Sequence, residues 1–288
     1  MLPPMTTLPT TPVRTLRFGH SPDADDAFMF YGFHTGSAHV PGCEVVHVIE
    51  DIQTLNRRAL ESADLEITAV SAHAYAHIAD RYAVLPCGAS MGMGYGPVVV
   101  SRAPRELDSL MGERVAIPGE LTTAALLLRI ECPRCIPVAI RFDQIPAAVA
   151  RGDFVAGVVL HESQLTYRDE GLVKVLDFGE RWQERYRLPV PLGLDVVRRD
   201  LGPELMRAVS AGFRQSIEAG LAHEDEALVY ALQFGRGIDR ERGRKFVRMY
   251  VNELTLDMGA TGRKALEQLY TLAAAAGAID APPRVEVV

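Results

Sequence analysis

The chain has 288 residues, of which 48% are hydrophobic and 23% charged, and its formal net charge is -7. This is the composition of an ordinary globular protein, and the length favours two domains or one large α/β unit. Basic residues are scattered and outnumbered by acidic ones, which argues against a nucleic-acid partner. We find no secretory signal and no apolar run that would span a bilayer, so we expect a cytoplasmic protein without a membrane anchor.

Strands and helices alternate over the first third of the chain. The predicted strands cover residues 16–19, 45–49 and 65–70, and helices are predicted to begin at residues 23, 51 and 71. This β-α-β-α-β-α order implies a mostly parallel sheet. Residues 1–13, which precede the first strand and are rich in Pro and Thr, are predicted to form a disordered tail.

The rest of the chain predicts a second α/β region followed by helices. Strands are expected at 82–85, 97–101, 113–117, 140–143, 157–160 and 172–177, and helices at 121–130, 145–150 and 178–184. Apolar residues at helical spacing predict further helices at 207–219, 224–234, 240–250 and 261–276. Two extended segments, near residues 100–101 and 188–193, would connect the two regions.

This order predicts a two-lobed α/β protein. Residues 14–102 together with 196–288 would form lobe 1, and residues 103–195 would form an inserted lobe 2. In such a fold the ligand binds in the cleft between the lobes, and closure of the lobes excludes water from the site.

The segment Gly157–Tyr167 contains the main catalytic candidate. Small and apolar residues form a short predicted strand, which ends in His161 and is followed by hydrogen-bonding side chains. Open α/β sheets place their chemistry at such strand ends, and the pKa of imidazole suits it to act as a base near neutral pH. The alternative is a structural histidine at a strand end. Glu162 is expected to point away from His161, because adjacent strand residues alternate.

Thr122 and Thr123 stand at the start of a predicted helix. Helix N-terminal amides bind anions and threonine hydroxyls add donors, so these residues are candidates for a carboxylate clamp. Simple helix capping is the alternative, and it explains one of the two threonines but not both.

The cysteines predict no metal centre. Cys132 and Cys135 have the C-x-x-C spacing of redox and metal sites. However, no second pair completes a metal site, and the pair follows an apolar helix instead of opening one. We therefore expect reduced thiols.

Several short segments have the order and spacing of one enzyme family. They are Ser21-Pro22, Tyr75-Ala-His77, Gly94-Tyr-Gly96-Pro97, Ile117-Pro-Gly-Glu-Leu-Thr122-Thr123-Ala, Leu160-His161-Glu162-Ser163, Leu188-Pro-Val-Pro-Leu-Gly193 and Tyr250-Val-Asn252-Glu. Between about residues 16 and 275 the chain resembles 1,4-dihydroxy-6-naphthoate synthase, a late enzyme of the futalosine route to menaquinone. The family's fold resembles a type II periplasmic-binding protein, with two lobes, mixed sheets and a cleft between the lobes.

The resemblance implies a substrate, cyclic dehypoxanthine futalosine, and a product, 1,4-dihydroxy-6-naphthoate. It implies a carbon–carbon lyase without a metal or redox cofactor, acting on a small-molecule carboxylate as a monomer or homodimer. His161 matches the histidine assigned as base or nucleophile. Thr122, Thr123 and Ala124 match the segment that holds the substrate carboxylate, and Ser71 matches a ligand-binding serine.

One segment departs from the family pattern. The family commonly has Ser-Pro-Cys-Pro-Asn-Asp-Thr-Phe where this chain has Ser21-Pro22-Asp23-Ala24-Asp25-Asp26-Ala27-Phe28. The changes remove an amide and a hydroxyl from a strand end that faces the cleft. Ser21 and Asp25 remain substrate-binding candidates, and Asp25 or Asp26 could orient a ring hydroxyl or His161. Alternatively, the acids are solvated in the first turn of a helix, most of all Asp23.

The implied chemistry needs proton removal next to a carbonyl and cleavage of a carbon–carbon bond. A neutral imidazole about 3 Å from the acidic C–H or hydroxyl could serve as the base. Aromatisation supplies the driving force, so no cofactor is required. Two alternatives share the fold, namely a solute-binding protein for a small carboxylate and the chorismate dehydratase of the same pathway.

Overall fold

The computed structural model describes residues 13–234 and 239–288. The predicted tail at residues 1–13 lies outside these residues, except for Val13. In the described ranges the strands are β1 Arg14–His20, β2 Cys43–Ile49, β3 Ile67–Ser71, β4 Tyr82–Val84, β5 Ser90–Gly92, β6 Val98–Ser101, β7 Arg114–Ile117, β8 Ile136–Ala139, β9 Ala156–Val159, β10 Val173–Asp177 and β11 Val190–Arg198.

These strands form two mixed sheets. The first has the order β2-β1-β3-β11-β4, with β5 also paired to β11, and the second has the order β10-β6-β9-β7-β8. In the first sheet β1 is parallel to β2 and β3, whereas β11 is antiparallel to its neighbours. In the second sheet β7 is parallel to β8 and β9. The predicted mixture of parallel and antiparallel strands is confirmed.

Helices cover the faces of both sheets. Their bounds are α1 Ala24–Met29, α2 Tyr31–Thr35, α3 Ile52–Glu61, α4 Ala72–Tyr75, α5 Thr123–Glu131, α6 Ile145–Arg151, α7 Ser163–Thr166, α8 Phe178–Tyr186, α9 Pro203–Ala222, α10 Glu224–Ala231, α11 Arg240–Tyr250, α12 Glu253–Leu256 and α13 Gly259–Ala275. Acidic N-caps start several of them, because a carboxylate accepts from the free amides of the first turn. Asp51 does so for α3 and Asp177 for α8. Within the described ranges, none of the helices is both long and apolar enough to cross a bilayer.

The chain passes from one sheet to the other slightly earlier than the proposed lobe boundaries. Strand β6, before residue 102, pairs with β9 and β10 in the second sheet, and β11, from Val190, pairs in the first. Strand pairing alone does not define the lobes, so the proposed boundaries at 102/103 and 195/196 stay a prediction.

One predicted strand is wrong. Residues 140–143 alternate in polarity, but the strand ends at Ala139, and Phe142–Gln144 form a 3-10 turn that leads into α6. Ile140 still donates its amide to Ile117, which extends the pairing by one residue. Arg141 then bonds the carboxylate of Asp143 two residues on, which stabilises the turn.

An aromatic core fixes α1 against the first sheet. Phe18 on β1 packs edge-on against Phe30, with ring centroids 4.6 Å apart, and lies 4.8 Å from Phe213 of α9. Phe28 of α1 is fully buried in the same core. Burial of such rings stabilises a fold by about 1.5–3 kcal/mol each. The acids at the start of α1 are consequently held at a defined place beside the end of β1.

Thr123 ties the N-terminus of α5 to β11 and α4. Its hydroxyl donates to the carbonyl of Leu192 on β11 at 2.7 Å and accepts from the amide of His73 on α4 at 3.2 Å. All three residues are wholly or partly buried, so water cannot replace either bond without a rearrangement. This contact joins the helix that follows β7 of the second sheet to β11 of the first sheet.

We expect Thr123→Val to lower the free energy of unfolding by about 1–3 kcal/mol, because it leaves the His73 amide and the Leu192 carbonyl unpaired. Urea unfolding followed by circular dichroism measures the change. Thr123→Ser is the matched control, since it keeps the hydroxyl and should unfold close to wild type. A valine variant as stable as wild type would show that the bridge contributes nothing.

Candidate active site

The cavity lies where parallel strands of both sheets end. Ser21 follows β1 and Ser71 ends β3, while α5 follows β7 and His161 follows β9. The cavity has a volume of about 110 Å³, or about 730 Å³ when the adjoining space open to solvent is counted. All the predicted site residues line it, namely Ser21, Asp25, Ser71, Thr122, Thr123, Ala124 and His161. Their roles stay predictions, but the structure brings them together.

His161 occupies an unusual backbone conformation beyond the end of β9. The strand ends at Val159, and His161 has φ 56°, in the left-handed region that side chains other than glycine seldom adopt. Residues held in such conformations cost stability and concentrate at functional sites. Because His161 and Glu162 lie in a turn, strand alternation does not govern their directions. Glu162 is nevertheless buried and does not line the cavity.

Asp23 is the partner of His161. Its Oδ2 lies 3.0 Å from His161 Nδ1 and also accepts a 2.6 Å hydrogen bond from the Ser21 hydroxyl. Asp23 stands at the N-cap of α1, yet its side chain makes no cap bond. The interpretation of Asp23 as a solvated acid is therefore wrong, since it is 1% exposed and binds the imidazole. The pairing leaves Nε2 of His161 as the nitrogen for chemistry.

The carboxylates around His161 control its protonation. Burial alone would lower the pKa of His161, but the charge and hydrogen bond of Asp23, with smaller contributions from Glu162 and Asp25, raise it to about 9. The imidazole is consequently protonated at neutral pH in most molecules. The expected neutral base is a minor form before substrate binds.

Three more acids of the cavity have pKa values above the usual range of a carboxyl group. Burial, followed by the charges of Asp26 and Asp23, raises the pKa of Asp25 well above its ordinary value. Burial and the charge of Asp23 raise the pKa of Asp26 to about 6. Burial, followed by the charges of Asp26 and Asp25, also raises the pKa of Asp195. All these shifts have the same sign as that of His161, so each contributes stability at low pH that is lost as the pH rises through its folded-state pKa.

The N-terminus of α5 offers amides, not free hydroxyls. The hydroxyl of Thr122 caps the helix by accepting from the Ala125 amide at 3.2 Å, and it donates to the Gly119 carbonyl. Thr123 uses its own hydroxyl in the bridge to β11. Within the described residues no acceptor bonds the amides of Thr123 and Ala124, so these two groups are the anion-binding donors that remain.

Ser71 is prepared as a donor by a residue that the sequence did not single out. Asn56 of α3 donates to the Ser71 hydroxyl at 3.0 Å and accepts from the Ser71 amide at 2.8 Å. With its oxygen occupied as an acceptor, the hydroxyl can direct its own proton to a ligand. The sequence signal that could have identified Asn56 was a polar residue beside the apolar residues of the helix predicted to begin at residue 51.

The other candidate groups lie outside the cavity. Ser163 and Tyr167, two of the hydrogen-bonding side chains that follow His161 in the sequence, do not line it, and Tyr167 packs in a core with residues of the second sheet. Cys132 and Cys135 are free thiols. Burial, followed by the effect of the neighbouring Cys132, raises the pKa of Cys135 to about 12. A thiol with so high a pKa is unreactive at neutral pH. In the described part of the chain no group of three or more His, Cys, Asp or Glu side chains is arranged to hold a metal ion.

Comparison with known proteins agrees with the resemblance in the sequence. Residues 16–275 match a family model described as menaquinone biosynthesis. A Thermus thermophilus protein named 1,4-dihydroxy-6-naphtoate synthase is 42% identical over 272 residues, which cover 94% of this chain and 98% of the relative. A Streptomyces coelicolor protein of the same name is 35% identical over 275 residues, covering 93% and 95%.

Solved structures confirm the predicted fold. A crystal structure of an Archaeoglobus fulgidus protein has a TM-score of 0.88 at 47% identity, covering 92% of this chain and 98% of that one. The ligand-binding component of an ABC-type import system from Staphylococcus aureus, with zinc bound, has a TM-score of 0.72 at 13% identity and 96% coverage of both chains. An alkanesulfonate-binding protein from Xanthomonas axonopodis pv. citri, bound to MOPS, has a TM-score of 0.70 at 13% identity, covering 97% and 99%. At 13% identity the likeness shows the fold alone, which is that of two-lobed periplasmic-binding proteins.

We expect Asp23→Asn to lower the pKa of His161 from about 9 to 6.5 or below, because burial remains while the charge that opposes it is lost. An NMR titration of the imidazole resonances measures the shift. Asp153→Asn removes one exposed carboxylate without touching the cavity, and it should leave the His161 titration unchanged. A pKa that stays near 9 in Asp23→Asn would contradict the assigned pairing.

Proposed function

We propose that this chain, which belongs to the 1,4-dihydroxy-6-naphthoate synthase family of menaquinone biosynthesis, converts cyclic dehypoxanthine futalosine to 1,4-dihydroxy-6-naphthoate. The names of the relatives support an enzyme of menaquinone biosynthesis. The substrate, the lyase reaction and the role of His161 are our inference. The observation that carries them is the 3.0 Å contact of His161 with Asp23 at the wall of the cavity.

The cavity suits a substrate with one carboxylate. The amides of Thr123 and Ala124 point from the N-terminus of α5, where the helix dipole favours an anion. Ser71, held by Asn56, adds a hydroxyl donor at the end of β3. We assign the substrate carboxylate to these groups. The assignment differs from the sequence prediction in one respect, because backbone amides replace the threonine hydroxyls.

His161 acts as the base through Nε2. Asp23 accepts a hydrogen bond from Nδ1–H, which orients the ring and stabilises the imidazolium that forms when Nε2 takes a proton from the substrate. A high proton affinity makes the imidazole a stronger base, although only about one molecule in a hundred is neutral at pH 7 when the pKa is about 9. Nε2 takes the proton next to a carbonyl, and the electron pair of that C–H bond becomes a double bond of the new aromatic ring. The carbon–carbon bond to the sugar-derived part of the substrate breaks, and this part leaves with the bonding pair and takes the proton back from His161. Aromatisation drives the reaction.

We expect His161→Gln to reduce kcat by about 10²–10⁴-fold, the usual contribution of a general base. The assay follows naphthoate absorbance after cyclic dehypoxanthine futalosine is added to purified protein. His39→Gln, an exposed histidine outside the cavity, should keep wild-type activity. Retained turnover in His161→Gln would remove the histidine from the chemistry.

The same assay separates the alternatives. Turnover of chorismate instead of cyclic dehypoxanthine futalosine would identify the chorismate dehydratase of the pathway. Tight binding of a carboxylate without turnover would favour a solute-binding protein.

The pH dependence of kcat/KM offers an independent test. Because kcat/KM reports ionisations of the free enzyme, we expect it to rise with pH along a limb whose midpoint is near pH 9. Asp23→Asn should move this limb to lower pH and lower the plateau, since the ring loses its orienting acceptor. A wild-type profile that is flat from pH 6 to 9 would contradict a protonated resting histidine.

A further inference from the structure

Asp195 is a charged residue in the middle of an apolar strand. Its neighbours on β11 are Leu194, Val196 and Val197, all buried, and Asp195 itself is 2% exposed. Within the described ranges Oδ1 of Asp195 has no hydrogen-bond partner. A buried polar atom without a partner destabilises a fold by about 1–3 kcal/mol, and native proteins seldom keep one without a reason.

The side chain of Asp195 faces the ligand cavity. Gly193 pairs with Ser71 and Asp195 with Ala69 across the antiparallel strands β11 and β3. Residues two apart on a strand share a face, so Asp195 lies on the face that carries Ser71. All four residues line the cavity. The acid is therefore part of the site, although no motif in the sequence marks it.

The neighbouring backbone leaves room for this carboxyl group. Gly88 has φ +85°, and a Cβ at this position would lie 2.2 Å from Oδ2 of Asp195. Any other residue at 88 would meet both backbone strain and a clash. The glycine thus permits the carboxyl group to occupy the cavity wall.

Asp25 supplies a second acid of the same kind. It is 7% exposed, it lines the same cavity, and its Oδ1 also has no hydrogen-bond partner in the described part of the chain. Asp195 belongs to β11 and Asp25 belongs to α1. The structural requirements of one strand or one helix therefore do not explain why both acids lie at the cavity. Two unpartnered buried carboxyl groups at one cavity point to a ligand that bonds both.

Asp195 is too far from the helix end to bind the same group as α5. Thr123 of α5 contacts Leu192, and Asp195 is three residues further along β11, which is about 10 Å in an extended strand. The cavity thus has a donor end, made of amides and Ser71, and an acid end, made of Asp195 and Asp25. A ligand that fits it carries a carboxylate at one end and hydrogen-bonding groups of another kind at the other.

We infer that Asp195 is a specificity-determining residue that, together with Asp25, binds hydroxyl groups on the sugar-derived part of the substrate. The inference rests on the proposed function. It identifies the residues that bind the part of the substrate that is absent from the product. A hydroxyl is neutral and both donates and accepts, so it pairs with a carboxylic acid and with a carboxylate alike. The Oδ1 atoms of Asp195 and Asp25 would thereby both be bonded.

Electrostatics favour hydroxyls over a cation at this end. Burial and the neighbouring acids raise the pKa of both Asp25 and Asp195, so the acid end carries less negative charge than its composition suggests. A cation would require ionised, desolvated carboxylates and finds the protonated His161 beside Asp25. Protonated acids also avoid repelling a substrate that brings its own carboxylate into the cavity.

The test compares substrate and product in two variants of Asp195. We expect Asp195→Leu, which removes both hydrogen-bonding oxygens, to raise the KM for cyclic dehypoxanthine futalosine about 10–100-fold. The Kd of 1,4-dihydroxy-6-naphthoate, measured by calorimetry, should change less than twofold because the product lacks the sugar-derived hydroxyls. Asp195→Asn should give a smaller rise in KM, since the amide keeps one donor and one acceptor in the same shape.

Stability separates recognition from a structural role. Removal of an unpartnered buried carboxyl group should leave the Tm of Asp195→Asn equal to or above that of wild type, while KM rises. Asp80→Asn, on the exposed surface, should leave KM, Kd and Tm unchanged. If Asp195→Leu does not fold, the Asn variant alone decides, through a raised KM with an unchanged product Kd.

Several outcomes would overturn the inference. Wild-type KM in both variants would show that Asp195 does not bind substrate. An equal loss of substrate and product binding would show that the residue supports the whole cavity instead of the hydroxyls. A wild-type protein that neither binds nor converts cyclic dehypoxanthine futalosine would overturn the proposed function together with this inference, so the two failures are distinguishable.

Discussion

The contact between Asp23 and His161 is the interaction on which the rest of the site depends. It joins the first turn after β1 to the turn after β9, and therefore connects the two sheets across the cavity. It holds the imidazole in one orientation, which compensates for the left-handed backbone of His161. The Ser21 hydroxyl completes the arrangement by bonding the same carboxylate oxygen. Without Asp23, His161 would be a buried histidine of low proton affinity.

The buried acids of the cavity lower the stability of the fold and also provide hydrogen-bonding groups for a ligand. Asp25, Asp26 and Asp195 are crowded and buried. Burial and the charges of neighbouring acids raise the pKa of each of these carboxyl groups. Such crowding destabilises the unliganded protein at neutral and alkaline pH. The same groups give the cavity hydrogen-bond donors and acceptors opposite the amides of α5. A ligand with a carboxylate at one end and hydroxyls at the other would satisfy both ends.

Local patterns in the sequence predicted most elements, the strand that leads to His161 and the helix that begins at Thr123. These features depend on periodicity and on turn residues, which neighbouring positions determine. Asp23 and Asp195 could not be assigned in this way. An acid in the first turn of a helix is favourable in water as well, and the contact of Asp23 with His161 joins segments that are far apart in the sequence. Asp195 could have been noticed as an acid within an apolar strand, but its place at the cavity wall depends on the room that Gly88 leaves.

The most direct test is a crystal structure of His161→Gln with cyclic dehypoxanthine futalosine bound. Our account predicts that the substrate carboxylate bonds the amides of Thr123 and Ala124, and that its reacting carbon lies next to residue 161. The sugar-derived hydroxyls should face Asp195 and Asp25. A substrate bound in the reverse direction, or outside the cavity, would contradict the account.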